Sequence, residues 1–304
     1  MFSLCREIAP HSIETSSRSR GGISVGPFFR TEITVGYEDE GSGEPLVLVH
    51  GHPFNRSMWR PQIAHLSRAG WRVIAPDLRG YGESTVVPGT TPLETFARDL
   101  LALLDHLGIE RCVLGGLSMG GQIVMECWRL FPERIRAVVL ADTFAAADTA
   151  AGRAVRRGMA ERLLREGMAG YAHEVLDKMV APHHLDALPD VAAHVLQMMT
   201  STAPEGAAAA LRGRAERPDY TAQLSRMTVP ALVVVGTEDT YTPVSDARAI
   251  QARMPDARLI LVERAAHLPN LERPDEFNAA LEKFLRSLPA DAAAAAPEPP
   301  GVPA

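Results

Sequence analysis

The sequence predicts an α/β fold, a doubly wound and mostly parallel sheet interrupted by a helical insertion. Three observations carry this. Short apolar runs alternate with helical patterns through most of the chain, and a Gly-x-Ser-x-Gly stretch joins one such run to a helix. The alternation then stops between Phe144 and about Leu224, where helical patterns follow one another. A chain of 304 residues, 46% of them apolar, can form one large α/β domain with an insertion or two smaller domains, and the alternation favours the single sheet.

Taken in order, residues 1–30 include Ser16-Ser17-Arg18-Ser19-Arg20-Gly21-Gly22, polar and without period, and are expected to be an unstructured extension. No apolar core follows the first positive charge as in a secretory signal, and Glu7 and Glu14 argue against a transit peptide. Pro45-Leu46-Val47-Leu48-Val49 reads as a strand running into the turn His50-Gly51-His52-Pro53. Thr91-Pro92-Leu93-Glu94 reads as a capping box, and Leu93, Phe96, Leu100, Leu104 and Leu107 then repeat at helical spacing on a face that should pack on the sheet. Arg111–Gly115 predicts a buried strand and Gly121–Phe131 a helix stopped by Pro132. Ile135–Ala141, Ala231–Val235 and Ala257–Val262 are further strands. Pro274-Asp275-Glu276-Phe277 opens a last helix with Phe277, Leu281, Phe284 and Leu285 facing inward, and the chain ends in an alanine and proline tail. The expected organisation is a core of residues 31–143 and 225–289, a helical cap of residues 144–224 over the carboxyl ends of the strands, and tails at 1–30 and 290–304.

The chemistry is named by Gly116-Leu117-Ser118-Met119-Gly120. Turning from strand to helix within a few residues forces the central residue into a strained conformation, and glycines two positions to either side let the neighbouring backbone pass. That is the pattern of a nucleophile elbow, against the plainer reading of a Gly-Ser turn at an ordinary βα junction. A serine hydroxyl is a poor nucleophile at neutral pH, so the elbow requires a histidine base and a carboxylate to orient it. Asp239 follows one strand in a turn-rich loop, and His267 follows the next. Asp142, at the end of the preceding strand, is the alternative acid. The backbone amides of Met119 and His52 are candidates to receive the negative charge that acyl transfer places on a carbonyl oxygen. Phe54, Phe144 and Leu268, beside these loops, are candidates to contact the substrate.

The chain resembles the α/β-hydrolase superfamily from about Thr31 to Pro289. Four separated motifs stand in the family's order: His50-Gly51-His52-Pro53, Asp77-Leu78-Arg79-Gly80-Tyr81-Gly82-Glu83-Ser84, the Ser118 elbow, and the Asp239 and His267 loops. Within the superfamily, Gly116–Gly121 and the HGxP loop are most similar to carboxylesterases, enol-lactonases and cofactor-free haloperoxidases. Epoxide hydrolases and haloalkane dehalogenases share HGxP but use an aspartate nucleophile, where this chain has Ser118. The resemblance implies a metal-free serine hydrolase acting on a small-molecule carboxylic ester or lactone. Alternatives on the same triad are peracid formation and carbon-carbon bond cleavage, and a different class is a receptor that binds without turnover. Haloperoxidases usually carry an aromatic residue where His52 stands.

Composition narrows the classes further. A net charge of −6 offers no basic footprint for nucleic acid, and no apolar run approaches the roughly 20 residues that a membrane span needs. Cys5, Cys112 and Cys127 have no metal-like spacing, and two of them fall in core elements, which points to a reduced, cytoplasmic setting. Gly80-Tyr81-Gly82 lacks the third glycine of a dinucleotide site and reads as a turn, and no cofactor is implied. His183-His184 with Asp186 reads as a surface loop pair rather than a metal site. Met159, Met168, Met179, Met198 and Met199 either line an adaptable acyl pocket or pack the cap's own core.

Overall fold

The computed structural model describes residues 24–30 and 33–289. The expected tails at 1–23 and 290–304 lie outside the described residues. Eight strands form one sheet among them: β1 (Ser24–Arg30), β2 (Ile33–Glu40), β3 (Glu44–Val49), β4 (Trp71–Pro76), β5 (Cys112–Leu117), β6 (Ile135–Ala141), β7 (Ala231–Gly236) and β8 (Ala257–Val262). Their order is β1-β2-β4-β3-β5-β6-β7-β8, with β2 antiparallel to both its neighbours β1 and β4 and every other pair parallel.

The boundary expected at residue 30 is corrected by β1, which extends the sheet through Ser24–Arg30. Gly26 and Pro27 hide this strand from periodicity, but an edge strand tolerates both because one row of its N–H groups meets no neighbour.

The parallel strands read as continuous apolar runs because both faces are covered. Alternate residues feed two cores. Val47, Leu114, Leu140 and Val233 pack with α2 (Leu93–His106), α3 (Met119–Leu130) and α9 (Val244–Gln251). Leu48, Val113, Val139 and Leu232 pack on the other face with α1 (Arg60–Leu66) and α11 (Pro274–Arg286). Phe277, Leu281, Phe284 and Leu285 all point into this second core, as the terminal pattern requires. A short α10 (Pro269–Glu272) precedes α11. At the start of α2 the expected capping box does not form: Pro92 is the cap residue, without a side-chain cap bond. Thr91 instead donates its amide to the Ala209 carbonyl at 3.0 Å, so a tertiary contact takes the place of the local one.

Between β6 and β7 stand α4 (Ala150–Glu166), α5 (Ala169–Met179), α6 (Pro182–Ala187), α7 (Pro189–Ser201) and α8 (Pro204–Ala215). Ala207, Ala208 and Leu211 of α8 meet Ala160 and Leu163 of α4 in a separate small core with Met168. Met179, Met198 and Met199 pack into the core on the α1 and α11 face of the sheet. Thus these methionines fill core space in the structure. None of the helices among the described residues is long and apolar enough to cross a membrane.

α8 lies directly on the turn after β4. A Cβ on Gly206 would sit 2.1 Å from the Gly80 carbonyl oxygen, a separation that no side chain survives. We therefore expect Gly206→Ala to lower stability by about 1–3 kcal/mol through forced backbone displacement. Chemical denaturation checks this, and an unchanged midpoint would mean that α8 does not dock on Gly80.

Candidate active site

Ser118 occupies the single residue between β5 and α3, with φ 57° and ψ −114°. Positive φ in a non-glycine residue costs of order 1–3 kcal/mol and persists only where the surroundings over-determine it. Here they do. The Ser118 amide donates to the Ala141 carbonyl at 2.9 Å, and its carbonyl accepts from the Gln122 amide and the Thr143 hydroxyl. Glycine is obligatory on both sides: a Cβ on Gly116 would stand 2.3 Å from the Gly120 carbonyl carbon, and one on Gly120 would stand 2.2 Å from the Val49 oxygen.

Asp239 follows β7 and His267 follows β8, so the sheet order brings both loops to the same carboxyl edge. His267 Nδ1 lies 2.8 Å from Asp239 Oδ2, and both side chains are buried. Asp239 also accepts from the Tyr241 and Thr242 amides and from the Thr242 hydroxyl. Burial works against its charge, but His267 and the Thr242 bonds outweigh that, and the carboxyl is held below its ordinary value. With Nδ1–H committed to the carboxylate, the lone pair of the ring falls on Nε2.

Asp142 takes a different role from the acid that bonds His267. It lies after β6 with φ 42°, fully buried, and its Oδ1 accepts from the Gly236 amide at 2.9 Å. Its Oδ2 is buried with no hydrogen-bond partner. Donor atoms of Asp142, Asp239 and His267 all lie within 4.8 Å of one another. Burial first, and then the charge of Asp239, push the Asp142 carboxyl well above its ordinary value. Two carboxyls this close in a dry site cannot both ionise, so Asp142 is the neutral member and Asp239 the charged one. A neutral acid and an imidazole already bound at Nδ1 make a poor cation cage.

His52 stands in the loop after β3, joined to Pro53 by a cis peptide, and Met119 opens α3. Among the described residues neither amide donates to a backbone carbonyl, as expected for a helix start in the case of Met119. The His52 ring meets the Tyr81 hydroxyl at 2.8 Å through Nδ1, while Nε2 is buried and unpartnered. Burial, and after it the nearby Arg214 charge, hold its pKa well below the ordinary histidine value. Phe54 and Leu268 sit within the packed core with no exposed surface, and Phe144 lies under the Arg217 guanidinium at 4.8 Å.

Sequence reasoning missed Glu272. Its carboxyl, at the end of α10, accepts from the Ala266 amide through Oε1 and from the Ala181 amide through Oε2, both at 2.8 Å. Oε2 also shares a 2.8 Å hydrogen bond with His184 Nδ1. The expectation of a surface loop pair at His183-His184 is corrected accordingly: both lie in α6, and His184 is buried against Glu272. Burial raises the Glu272 carboxyl above its ordinary value despite these bonds.

A carboxyl that is neutral when folded and ionised when unfolded penalises the fold at neutral pH, and the penalty fades as pH falls through about 3.9, where the unfolded chain also takes up the proton. Asp142→Asn retains the Gly236 bond without that penalty. We expect its melting temperature at pH 7 to equal or exceed that of the wild type, with the gap closing below about pH 4. A clearly less stable variant at pH 7 would contradict a neutral Asp142.

Residues 44–274 match the family described as alpha/beta hydrolase fold. The 3-oxoadipate enol-lactonase 2 of Acinetobacter baylyi is 29% identical over 257 residues, covering 84% of this chain and 94% of that protein. A solved thermophilic esterase from Thermogutta terrifontis, with malate bound, shares 38% identity at a TM-score of 0.83 over 88% of this chain and 99% of its own. The enol-lactonase from Burkholderia xenovorans LB400 superposes with a TM-score of 0.80 at 29% identity, over 86% and 100% of the two chains. With the sheet order, the strained serine between β5 and α3 and this match over most of its length, the chain belongs to the α/β-hydrolase fold family.

Proposed function

We propose that the chain is a serine hydrolase that opens a carboxylic ester or lactone through an acyl-enzyme. The observation that carries this reading is the buried His267–Asp239 pair at 2.8 Å, set at the same sheet edge as a serine held at positive φ. In this reading His267 Nε2 removes the Ser118 proton as the hydroxyl oxygen attacks the carbonyl carbon, and Asp239 stabilises the imidazolium that forms. The Met119 and His52 amides and the positive end of α3 receive the oxyanion. His267 then protonates the leaving alkoxide, and water activated by the same ring releases the acid. The neutral Asp142 leaves Asp239 as the only charged carboxylate of this cluster, which favours Asp239 as the orienting acid. The enol-lactonase and esterase relatives support an ester or lactone as the bond broken.

A fluorophosphonate probe is expected to label Ser118, and short aryl esters to be hydrolysed. Ser118→Ala should lose at least about a thousandfold in kcat/KM, and Asp239→Asn a similar factor, mainly in kcat. Equal ester hydrolysis by wild type and Ser118→Ala would end this reading.

A further inference from the structure

Arg214, in the last turn of α8, is a buried guanidinium with 6% exposure and no ion pair among the described residues. Such a cation is held at a cost unless something negative completes it. A carboxylate that acts on its charge, Asp148, is already bound by Arg156 and Arg217. Those two arginines add to the positive field at Arg214 instead of relieving it.

A chain of hydrogen bonds leads from Arg214 to Ser118, and its charge reaches the loop beside the serine. Arg214 Nε donates to Gln122 Oε1 at 3.1 Å, and the Gln122 amide donates to the Ser118 carbonyl at 3.2 Å. On the other side Arg214 acts electrostatically on His52 and Tyr81, which bond to each other, and the Gly51 Cα is so near the nucleophile that a Cβ there would lie 3.2 Å from Ser118 Cβ. Because Gln122 turns its oxygen to a guanidinium N–H, its amide nitrogen must point elsewhere. That nitrogen is buried and has no hydrogen-bond partner. The cluster therefore offers unused donors from two side chains, one of them cationic, beside neutral groups and no free carboxylate among the described residues. Tyr171, half-buried and close enough to feel the Arg214 charge, adds a hydroxyl and no negative charge.

We propose that Arg214 and Gln122 seat a carboxylate carried by the substrate, so that the ester or lactone opened at Ser118 is an acidic one. The inference rests on the hydrolase reading above for the bond that is broken, but the seat itself is a binding site and does not need turnover. A planar carboxylate suits the guanidinium fork, which can give it two parallel N–H bonds, and the Gln122 amide can supply a further donor. The anion would also offset the positive charge that Arg214 and Arg156 bring to bear on His52.

The test compares mono-p-nitrophenyl glutarate with p-nitrophenyl pentanoate, of similar length without the charge, and adds a pair carrying the carboxylate on the alcohol side. Wild type should favour an acidic substrate by at least about tenfold in kcat/KM, and that ratio should fall by at least about tenfold in Arg214→Met. Gln122→Glu keeps Arg214 and places a competing carboxylate beside it, so the same loss of preference is expected there even if Arg214→Met fails to fold. Calorimetric titration of Ser118→Ala with glutarate reads the seat without turnover, and adding Gln122→Glu should weaken binding by at least about tenfold. Ester hydrolysis with no acid preference, or a preference untouched by Gln122→Glu, overturns the seat and leaves the hydrolase standing. Glutarate binding that Gln122→Glu weakens, in a protein that cleaves no ester, supports the seat and removes the hydrolase.

Discussion

The passage of α3 across the end of β3 is the contact on which the site depends. Gly120 lies so close to the Val49 carbonyl, and Gly116 so close to Gly120, that any side chain at either position would separate the helix from the sheet. This approach compresses the link between β5 and α3 to a single residue and drives Ser118 to positive φ. The bond from Ser118 to Ala141 and the acceptance from Thr143 then fix the serine to the end of β6 as well. With Ser118 set by three adjacent strands, the parallel order of β6, β7 and β8 delivers Asp142, Asp239 and His267 to the same edge.

Charge at that edge is arranged by burial as much as by pairing. Asp239 keeps its charge because four hydrogen bonds converge on it, including the one to His267. Asp142, which accepts from one amide and faces the charge of Asp239, has too little to offset desolvation. The imidazole therefore faces one anion rather than two.

The parallel strands were legible because a run buried on both faces is apolar at every position, as in Ala231–Val235 and Ala257–Val262. Ser118, Asp239 and His267 were legible because each follows such a run directly, and the glycines around Ser118 mark a turn that few other residues permit. What stayed hidden was stabilised by partners far off in the chain. β1 contains Gly26 and Pro27, which read as breakers, and exists by pairing with β2. Thr91 has the form of a cap residue, yet its amide goes to Ala209. His184 and Glu272 are 88 residues apart, and nothing beside either one shows that it is buried. Arg214 looks like an ordinary basic residue near a helix end until α8 is packed against α4 and the Gly80 turn.

Glu272 gives the insertion a mechanical hold on the loop that carries His267. One carboxyl joins the start of α6, through Ala181 and His184, to Ala266, the residue before His267. Lifting α6 strips that carboxyl of two partners while it is still enclosed, and an enclosed polar group left unsatisfied is costly. The His267 loop and α6 are therefore held together through one enclosed carboxyl.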